Sequence, residues 1–412
     1  MSEFYDSLET RDPQEREQAL IAAVSAQVAH AKNKAPIYKS LLADIDPDEI
    51  TDSGKIAKLP ITRKSELISK QQEDHPFGGY AAIAAPELAH VFASPGPIYE
   101  PGSNRHDYWR FARTLFAVGI RPGDLIHNCF SYHFTPAGSM VDSGAHALGC
   151  SVIPAGVGQS ELQVQTIVDL RPQAYVGTPS FLKIILEKAK ELGSDVSSIT
   201  KAMVGGEALH PTLRAGFVER GIRVQQCYAT ADLGVIAYES SAQQGLIIDE
   251  GVYLEIVRPG TGDPVTEGEV GEVVVTSLNP EYPLIRFATG DLSAIMPGTS
   301  PCGRTNRRIR GWMGRADQTA KVRGMFIHPE QIDKLVKRHP EIIKARLIID
   351  WINASDTIKL QCESGGADNS LQAAIVDSIR EICKLRGEVE FLEPDSLPND
   401  GKVIDDIRQY DS

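Results

Sequence analysis

Residues 139–156, "SMVDSGAHALGCSVIPAG", and residues 161–179, "ELQVQTIVDLRPQAYVGTP", each read as a helix that turns into a short β-rich run. The same pairing extends in both directions along the chain. Upstream, "HDYWRFARTLFAVGI" (106–120) reads as a helix ended by Gly119, and "GDLIHNCF" (123–130) as a strand. Downstream, "PSFLKIILEKAKELG" (179–193) runs into "ITKAMVGGEAL" (199–209). Helices alternating with short strands imply parallel strands joined by crossovers, which is the pattern of an α/β sheet.

The flanks differ in character. Residues 13–46 carry apolar positions at helical spacing and are expected to form surface-packed helices. In "LPITRKSELISKQ" (59–71), Thr62 is a candidate N-cap with Glu66 near the first turn, so a helix is expected to start there. Beyond residue 245 the chain becomes glycine-punctuated and β-rich ("GVYLEIVRPGTGDPVTEGEVGEVVVTSL", 251–278), which fits hairpins or a small barrel. A basic stretch around 311–324 precedes a tail that reads helix, strand, strand, helix, strand, enough for a small α+β domain. At 412 residues the chain exceeds one ordinary core. The expected division is a large domain over 1–314, with a β-rich subdomain at 245–310, and a small domain over 315–412.

Net charge of −13 argues against a nucleic-acid surface, which would show a basic stripe. The amino terminus is polar and acidic, without a basic segment leading into an apolar one, and no apolar run approaches a membrane span. Six cysteines (Cys129, Cys150, Cys227, Cys302, Cys362 and Cys383) are scattered without CxxC spacing, as expected of buried reduced thiols in a cytoplasmic protein.

Chemistry concentrates in "YPLIRFATGDLSAI" (282–295). A Thr-Gly-Asp turn after a strand presents one carboxylate, Asp291, where it can accept hydrogen bonds from a ribose diol. By itself such an aspartate is most often a plain turn residue. Its company is "GGEAL" (205–209), "CYATADLG" (227–234), "GRADQTAKVRGMFIHPEQID" (314–333) and "LPNDGKVIDDIR" (397–408). In this order the set resembles the adenylate-forming superfamily, closest to the phenylacetate–CoA ligase family, whose patterns run GGEPL, YGxTE, PLIRYRTGDL, GRxDDMLIVRGVNVFPxQIE and PRxxGKxxRVID. The amino-terminal "AKNKAPIYKSLLADIDPDEITDSGKIAKLPITRKSEL" (31–67) is similar to the family's helical start, so the likeness spans almost the whole chain.

The resemblance implies a two-step reaction. A carboxylate attacks the α-phosphorus of ATP to give an acyl-adenylate and pyrophosphate; a thiol, usually that of coenzyme A, then displaces AMP. Cations and magnesium must screen the charge that builds on phosphorus, and water must be kept from the mixed anhydride. By resemblance, Lys402 is the lysine that bridges carboxylate and α-phosphate, although any lone "GK" is more often a solvated turn lysine. Asp291 matches the ribose-binding aspartate, Arg315 an arginine near ribose and phosphate, and Asp317 the hinge. Arg323 and Gly324 match the loop that enters the site after the small domain rotates and helps form the thiol channel. Gly205, Gly206 and Glu207 match the loop along the adenine, with Tyr228, Ala229 and Thr230 in the segment that closes over the ring. Tyr132, His133 and Phe134 fall where the superfamily places an element beside the acyl pocket, and His133 equally suits an ordinary loop histidine. "GTPSF" (177–181) matches the opposite wall.

Three departures stand out. The family's glutamate ligand for magnesium aligns with Asp232, and the hydroxyl residue before it with Ala231; aspartate binds magnesium with a shorter reach. The segment "VIAYESSAQQGLIIDEGVY" (235–253) has neither Cys nor His, so no structural zinc is expected there. The family's phosphate loop, SSGTTGKP, is overlaid by "SPGPIYEP" (94–101): Ser94, Gly96 and Pro101 match, Tyr99 replaces a glycine and Glu100 replaces the lysine. Two N–H groups are lost to Pro95 and Pro97, and one charge is reversed. The expected function is therefore an AMP-forming ligase of an aromatic or small organic acid, using ATP, magnesium and coenzyme A. A carrier-protein thiol as acceptor and a non-catalytic AMP or acyl-CoA binder are the alternatives. The expected partners are small molecules rather than nucleic acid or membrane, and the resemblance suggests a homodimer.

Overall fold

The computed structural model describes residues 3–94, 98–316, 320–323, 325–352, 355–366, 368–398, 400 and 402–408. By contacts the chain divides into two compact units. The first comprises Met1–Leu254, Val275–Ala288 and Ile295–Trp312; the second comprises Glu255–Val274, Thr289–Ala294 and Met313–Ser412.

The first unit is organised by a nine-stranded sheet. Five of its strands are parallel, in the spatial order Ser151–Pro154, Leu125–Asn128, Ala174–Gly177, Lys201–Val204 and Arg223–Thr230. Helices Ala137–Leu148, Ser160–Leu170, Pro179–Leu192 and Pro211–Glu219 carry the chain between them. Alternation along the strands sends side chains to two cores. Ile126, Ala174, Val176 and Met203 pack with Phe111, Leu115, Met140 and Val141, whereas Tyr175, Ala202, Val204 and Val224 pack with Ile167, Leu182, Ile185 and Phe217. Burial on both faces is why these strands read as continuous apolar runs.

At Arg223–Thr230 the sheet changes sense: it is parallel to Lys201–Val204 on one side and antiparallel to Gly234–Glu239 on the other. Leu246–Ile248, Arg308–Ile309 and Ile295–Met296 extend that antiparallel edge. The stretch 245–310, read from sequence as one β-rich subdomain, is thus divided. Part of it pairs into the large sheet, while the strands Val252–Val257, Gly271–Ser277 and Phe287–Ser293 carry the chain from one unit to the other.

Residues 59–71 correct an expectation. Thr62 does not cap a helix; Thr62–Arg63 form a short strand parallel to Phe287–Ala288, and the helix begins at Leu67. Strand pairing wins because Arg286 holds this segment in place. Arg286 is 2% exposed, with its backbone at φ 43°, and its Nη1 donates to the carbonyls of Ala57 (2.7 Å) and Leu59 (2.8 Å). Its own carbonyl accepts from the N–H of Thr62 at 3.1 Å. A second buried knot ties the amino terminus down: Glu9 accepts from Tyr238 Oη (2.7 Å) and Arg304 Nε (3.0 Å).

The second unit contains a four-stranded sheet in the order Glu388–Leu392, Ser355–Ser364, Ile342–Ile352, Ile404–Asp406, with only the central pair antiparallel. Helices Pro329–Arg338 and Asn369–Cys383 pack on it through Ile332, Leu335, Ile375 and Ile379. Asp368 caps the latter, accepting from the N–H of Leu371 at 2.7 Å.

Arg286→Met takes the guanidinium donor from one buried and one partly buried carbonyl and removes a clamp made of charge-assisted bonds. It is expected to lower the unfolding free energy by about 3 kcal/mol. A urea midpoint within error of the parent would show that the clamp contributes nothing.

Candidate active site

The four candidate segments of the first unit lie at the carboxyl ends of adjacent parallel strands. Leu125–Asn128 leads to Tyr132–Phe134, Ala174–Gly177 to Thr178, Lys201–Val204 to Gly205–Glu207, and Arg223–Thr230 ends in Tyr228–Thr230 itself. In open α/β sheets this edge is where ligands bind, because loops diverge there and leave a crevice.

Each segment is held by local chemistry. The N–H of Gly205 donates to the Gly177 carbonyl at 3.2 Å, and a Cβ at Gly205 would meet Cys227 Sγ at 3.0 Å. Gly206 follows at φ 76°, a conformation glycine takes without steric cost. Glu207 is exposed and accepts from the N–H of Ser180 at 3.4 Å. Tyr228 faces Ala237 across the antiparallel pair, with an irregularity in register before Ala229, and Thr230 Oγ1 accepts from the N–H of Leu233 at 3.2 Å.

Tyr132 is fixed: its hydroxyl donates to Asp142 (2.7 Å) and accepts from Asn128 Nδ2 (2.7 Å). Burial first, and then the Asp142 carboxylate, raise its pKa above the ordinary phenol value. His133 and Phe134 are exposed instead, Phe134 by 69%, with their rings 4.7 Å apart. The Phe134 carbonyl accepts from the N–H of Ala93, which sets this loop beside the segment that overlays the phosphate loop.

That segment is an antiparallel hairpin, His90–Ser94 against Ile98–Gly102. Ser94 pairs with Ile98, so the connection is three residues long. Tyr99 is pinned through its backbone: its N–H donates to Gln71 Oε1 and its carbonyl accepts from Gln71 Nε2, both at 2.8 Å. Glu100 points inward, 1% exposed, and Ser94 Oγ donates to it. Among the described residues, Glu100 Oε2 has no partner, nor does the buried Oδ1 of Asp232. Lys64 Nζ donates to Asp232 Oδ2 at 2.6 Å. Burial, and then the Asp232 charge, push the Glu100 carboxyl up to about 7, against the pull of Ser94 and Lys64.

In the second unit, Asp291 and Arg315 form an isolated antiparallel bridge, and Arg315 Nη1 donates to Asp291 Oδ1 at 2.9 Å. Gly290 sits at φ 76° under the Arg315 guanidinium, where a Cβ would meet Nη2 at 2.7 Å. Arg315 and Lys402 line one cavity of about 340 Å³, with Leu292, Asp400 and Asp405. Lys402 Nζ donates to Asp405 Oδ1 at 2.7 Å. Lys402 also borders a larger cavity of about 870 Å³ on Arg258, Lys344 and Glu363. Arg323, at φ 46°, is fastened to Asp356: its N–H donates to Oδ2 (2.8 Å) and its Nε to the carbonyl (2.9 Å). Gly96, Asp317 and Gly324 lie outside the described residues. Among the described residues, no three His, Cys, Asp or Glu side chains converge on a common metal position, and no helix is long and apolar enough to cross a membrane.

Comparison with known proteins agrees with this geometry. Residues 105–279 match the family model described as AMP-binding enzyme. The phenylacetate-coenzyme A ligase of Thermus thermophilus is 33% identical over 333 residues, covering 77% of this chain and 74% of that one. The phenylacetate-coenzyme A ligase of Pseudomonas putida is 31% identical over 376 residues, covering 87% and 84%. In fold, the chain is similar to an open conformation of 2-hydroxyisobutyryl-CoA ligase, in complex with 2-HIB-AMP and CoA. The TM-score is 0.74 at 24% identity, covering 96% of this chain and 92% of that one. The sheet, the glycine loop at its edge and these matches define an adenylate-forming enzyme of the AMP-binding class. More narrowly, the chain belongs to the phenylacetate–CoA ligase family.

Glu100 also makes stability depend on pH. Its folded pKa, about 7, lies above the ordinary carboxylate value of 4.5, so the folded state binds the proton more tightly. That contribution is full below pH 4.5 and is lost as pH rises through 7. The groups it faces are Asp232, Lys64 and Ser94. In magnesium-free buffer, Glu100→Gln is expected to gain on the parent by on the order of 2 kcal/mol between pH 5 and pH 8. A pH-independent difference in unfolding free energy would contradict the assignment.

Proposed function

We propose that this protein is an AMP-forming carboxylate–CoA ligase that activates an aromatic or small organic acid. The observation that carries the reading is the cavity shared by Arg315 and Lys402, with Asp291 paired to Arg315, in a chain of the phenylacetate–CoA ligase family. Asp291 would accept from the ribose diol, and Arg315 would hold it in place while facing the phosphate. Lys402, half exposed and bonded to the largely buried Asp405, can exchange that aspartate for a substrate carboxylate and an α-phosphate oxygen.

In the first step a carboxylate oxygen bonds to the α-phosphorus and the bond to pyrophosphate breaks. Lys402 offsets the negative charge on the crowded phosphorus. In the second step the thiol sulfur bonds to the acyl carbon, the thiol proton is released, and AMP leaves. Gly205, Gly206 and Glu207 would lie along the adenine, with Tyr228 over its face and Ala229 and Thr230 continuing the wall. Tyr132, held rigid by Asp142 and Asn128, forms a fixed side of the acyl pocket; exposed His133 and Phe134 suit a surface that closes on substrate. Arg323 and Gly324 would serve the thiol channel, and Asp317 the hinge between a domain over 1–314 and a small one over 315–412.

Magnesium fits as the counter-ion of ATP rather than as a resident metal. Asp232, with one buried oxygen unpartnered among the described residues, would offer a hard donor, and the remaining ligands would be phosphate oxygens and water. The family resemblance supports a homodimer, and the cysteine usage a cytoplasmic setting.

The test is AMP release from ATP over a panel of aryl and short-chain acids, with and without coenzyme A. The parent is expected to release AMP in a CoA-dependent manner, and Lys402→Ala to slow adenylation by about 100-fold or more. Adenylate formation without transfer to CoA would move the acceptor to a carrier-protein thiol. No AMP from any acid, or full activity in Lys402→Ala, would sink the reading.

A further inference from the structure

We propose that Arg346 is the positioning residue for Lys402: its buried guanidinium sets the lysine turn in the geometry that the adenylation step needs. The inference rests on the ligase reading and specifies how its central cation is aimed.

Lys402 is not aimed by its own surroundings. Its side chain is 48% exposed, and an ammonium on a flexible four-carbon stem keeps one direction only where the backbone beneath it is fixed. The sheet fixes one side. The strand Ile404–Asp406 runs parallel to Leu347–Ile349, and the Leu347 N–H donates to the Val403 carbonyl at 2.8 Å. The other side is the turn leading into Lys402, and Arg346 holds it. Leu347 enters the apolar core of the unit, so alternation turns its neighbour Arg346 to the opposite face of the strand.

Arg346 is 4% exposed and directs its whole fork at that turn. Nε donates to the Lys402 carbonyl at 3.1 Å; Nη2 donates to the Pro398 carbonyl at 3.0 Å and to Asp400 Oδ1. The same Asp400 oxygen accepts from the N–H of Lys402 at 3.0 Å. Nη1 lies 3.8 Å from Asp405 Oδ2, and the other oxygen of that carboxylate holds Lys402 Nζ at 2.7 Å. One guanidinium therefore bears on the carbonyl directly, on the N–H through Asp400, and on the ammonium through Asp405. Asp400, Lys402 and Asp405 all line the cavity they share with Arg315. A planar fork can meet these directions at once, which a point charge cannot. Arg346 also eases the exchange that catalysis requires. When Nζ leaves Asp405 for the substrate, the guanidinium stays behind as a counter-charge for that carboxylate.

The experiment separates the two steps on the full chain, using the acid of the panel that gives the fastest AMP release. Pyrophosphate release reports the first step, and discharge of the chemically prepared acyl-adenylate by coenzyme A reports the second, in which Lys402 takes no part. Misplacing a reacting group by about 1 Å costs on the order of 100-fold. Arg346→Met is therefore expected to lower kcat for pyrophosphate release by about 10- to 100-fold, with KM for ATP within about threefold and adenylate discharge within about twofold. Arg346→Lys, which keeps the charge without the fork, should recover only part of the loss. Asp400→Ala removes the bridge to the Lys402 N–H at a side chain that is 39% exposed, and should slow the first step alone by about fivefold. It decides the matter if Arg346→Met does not fold: full adenylation in Asp400→Ala would then overturn the proposal. Equal slowing of both steps in Arg346→Met, or of neither, would show that the guanidinium only supports the fold, and the ligase reading would stand. If the parent releases no AMP with any acid, both readings fall together.

Discussion

The buried guanidinium of Arg286 is the interaction on which the arrangement of the first unit turns. With Nη1 bonded to the carbonyls of Ala57 and Leu59, it draws an otherwise irregular amino-terminal segment against the strand that begins at Phe287. Thr62 and Arg63 then have little choice but to pair with Phe287 and Ala288. The next residue is Lys64, whose ammonium is thereby delivered to Asp232, at the end of a different hairpin and 168 residues away in sequence. A charge buried for structural reasons in one part of the chain thus fixes the position of a second charge elsewhere in the unit.

The sheet supplies the other constraint. Parallel strands covered on both faces leave their carboxyl ends as the natural place for a crevice. The residues gathered there are small or rigidly held: Gly205 against Cys227, Gly206 at positive φ, Tyr132 between Asn128 and Asp142. The hairpin at 94–102 is held just as firmly, by Gln71 and by the link between Ala93 and Phe134.

Much of this was legible in the sequence. The alternation of helix and strand from 106 to 209 matches the observed strands and helices element by element, because apolar periodicity and glycine punctuation act locally. The motif residues Asp291, Arg315 and Lys402 were legible because their spacing resembles a known family, and a single cavity brings the last two together. The start of the helix at 59–71 was misread: Thr62 has the local signature of a cap, but a strand partner 225 residues later outweighs it. Gln71 and Lys64 were invisible for a related reason. Nothing near them in sequence signals that one will satisfy a strand edge or that the other will meet a buried carboxylate.

The sequence by itself determined the class of the protein. Its α/β pattern, its glycine loop and its lysine turn are properties of short segments, and short segments carry their own chemistry. It also showed that the phosphate loop had lost two N–H groups and reversed a charge. Only the tertiary structure decided where the reversed charge goes. Glu100 turns inward, its carboxyl raised by burial and by Asp232, with Lys64 bonded to that aspartate from across the fold. Those three groups come from three separate segments, and the field each one feels is set by distance and desolvation, which no linear order of residues encodes.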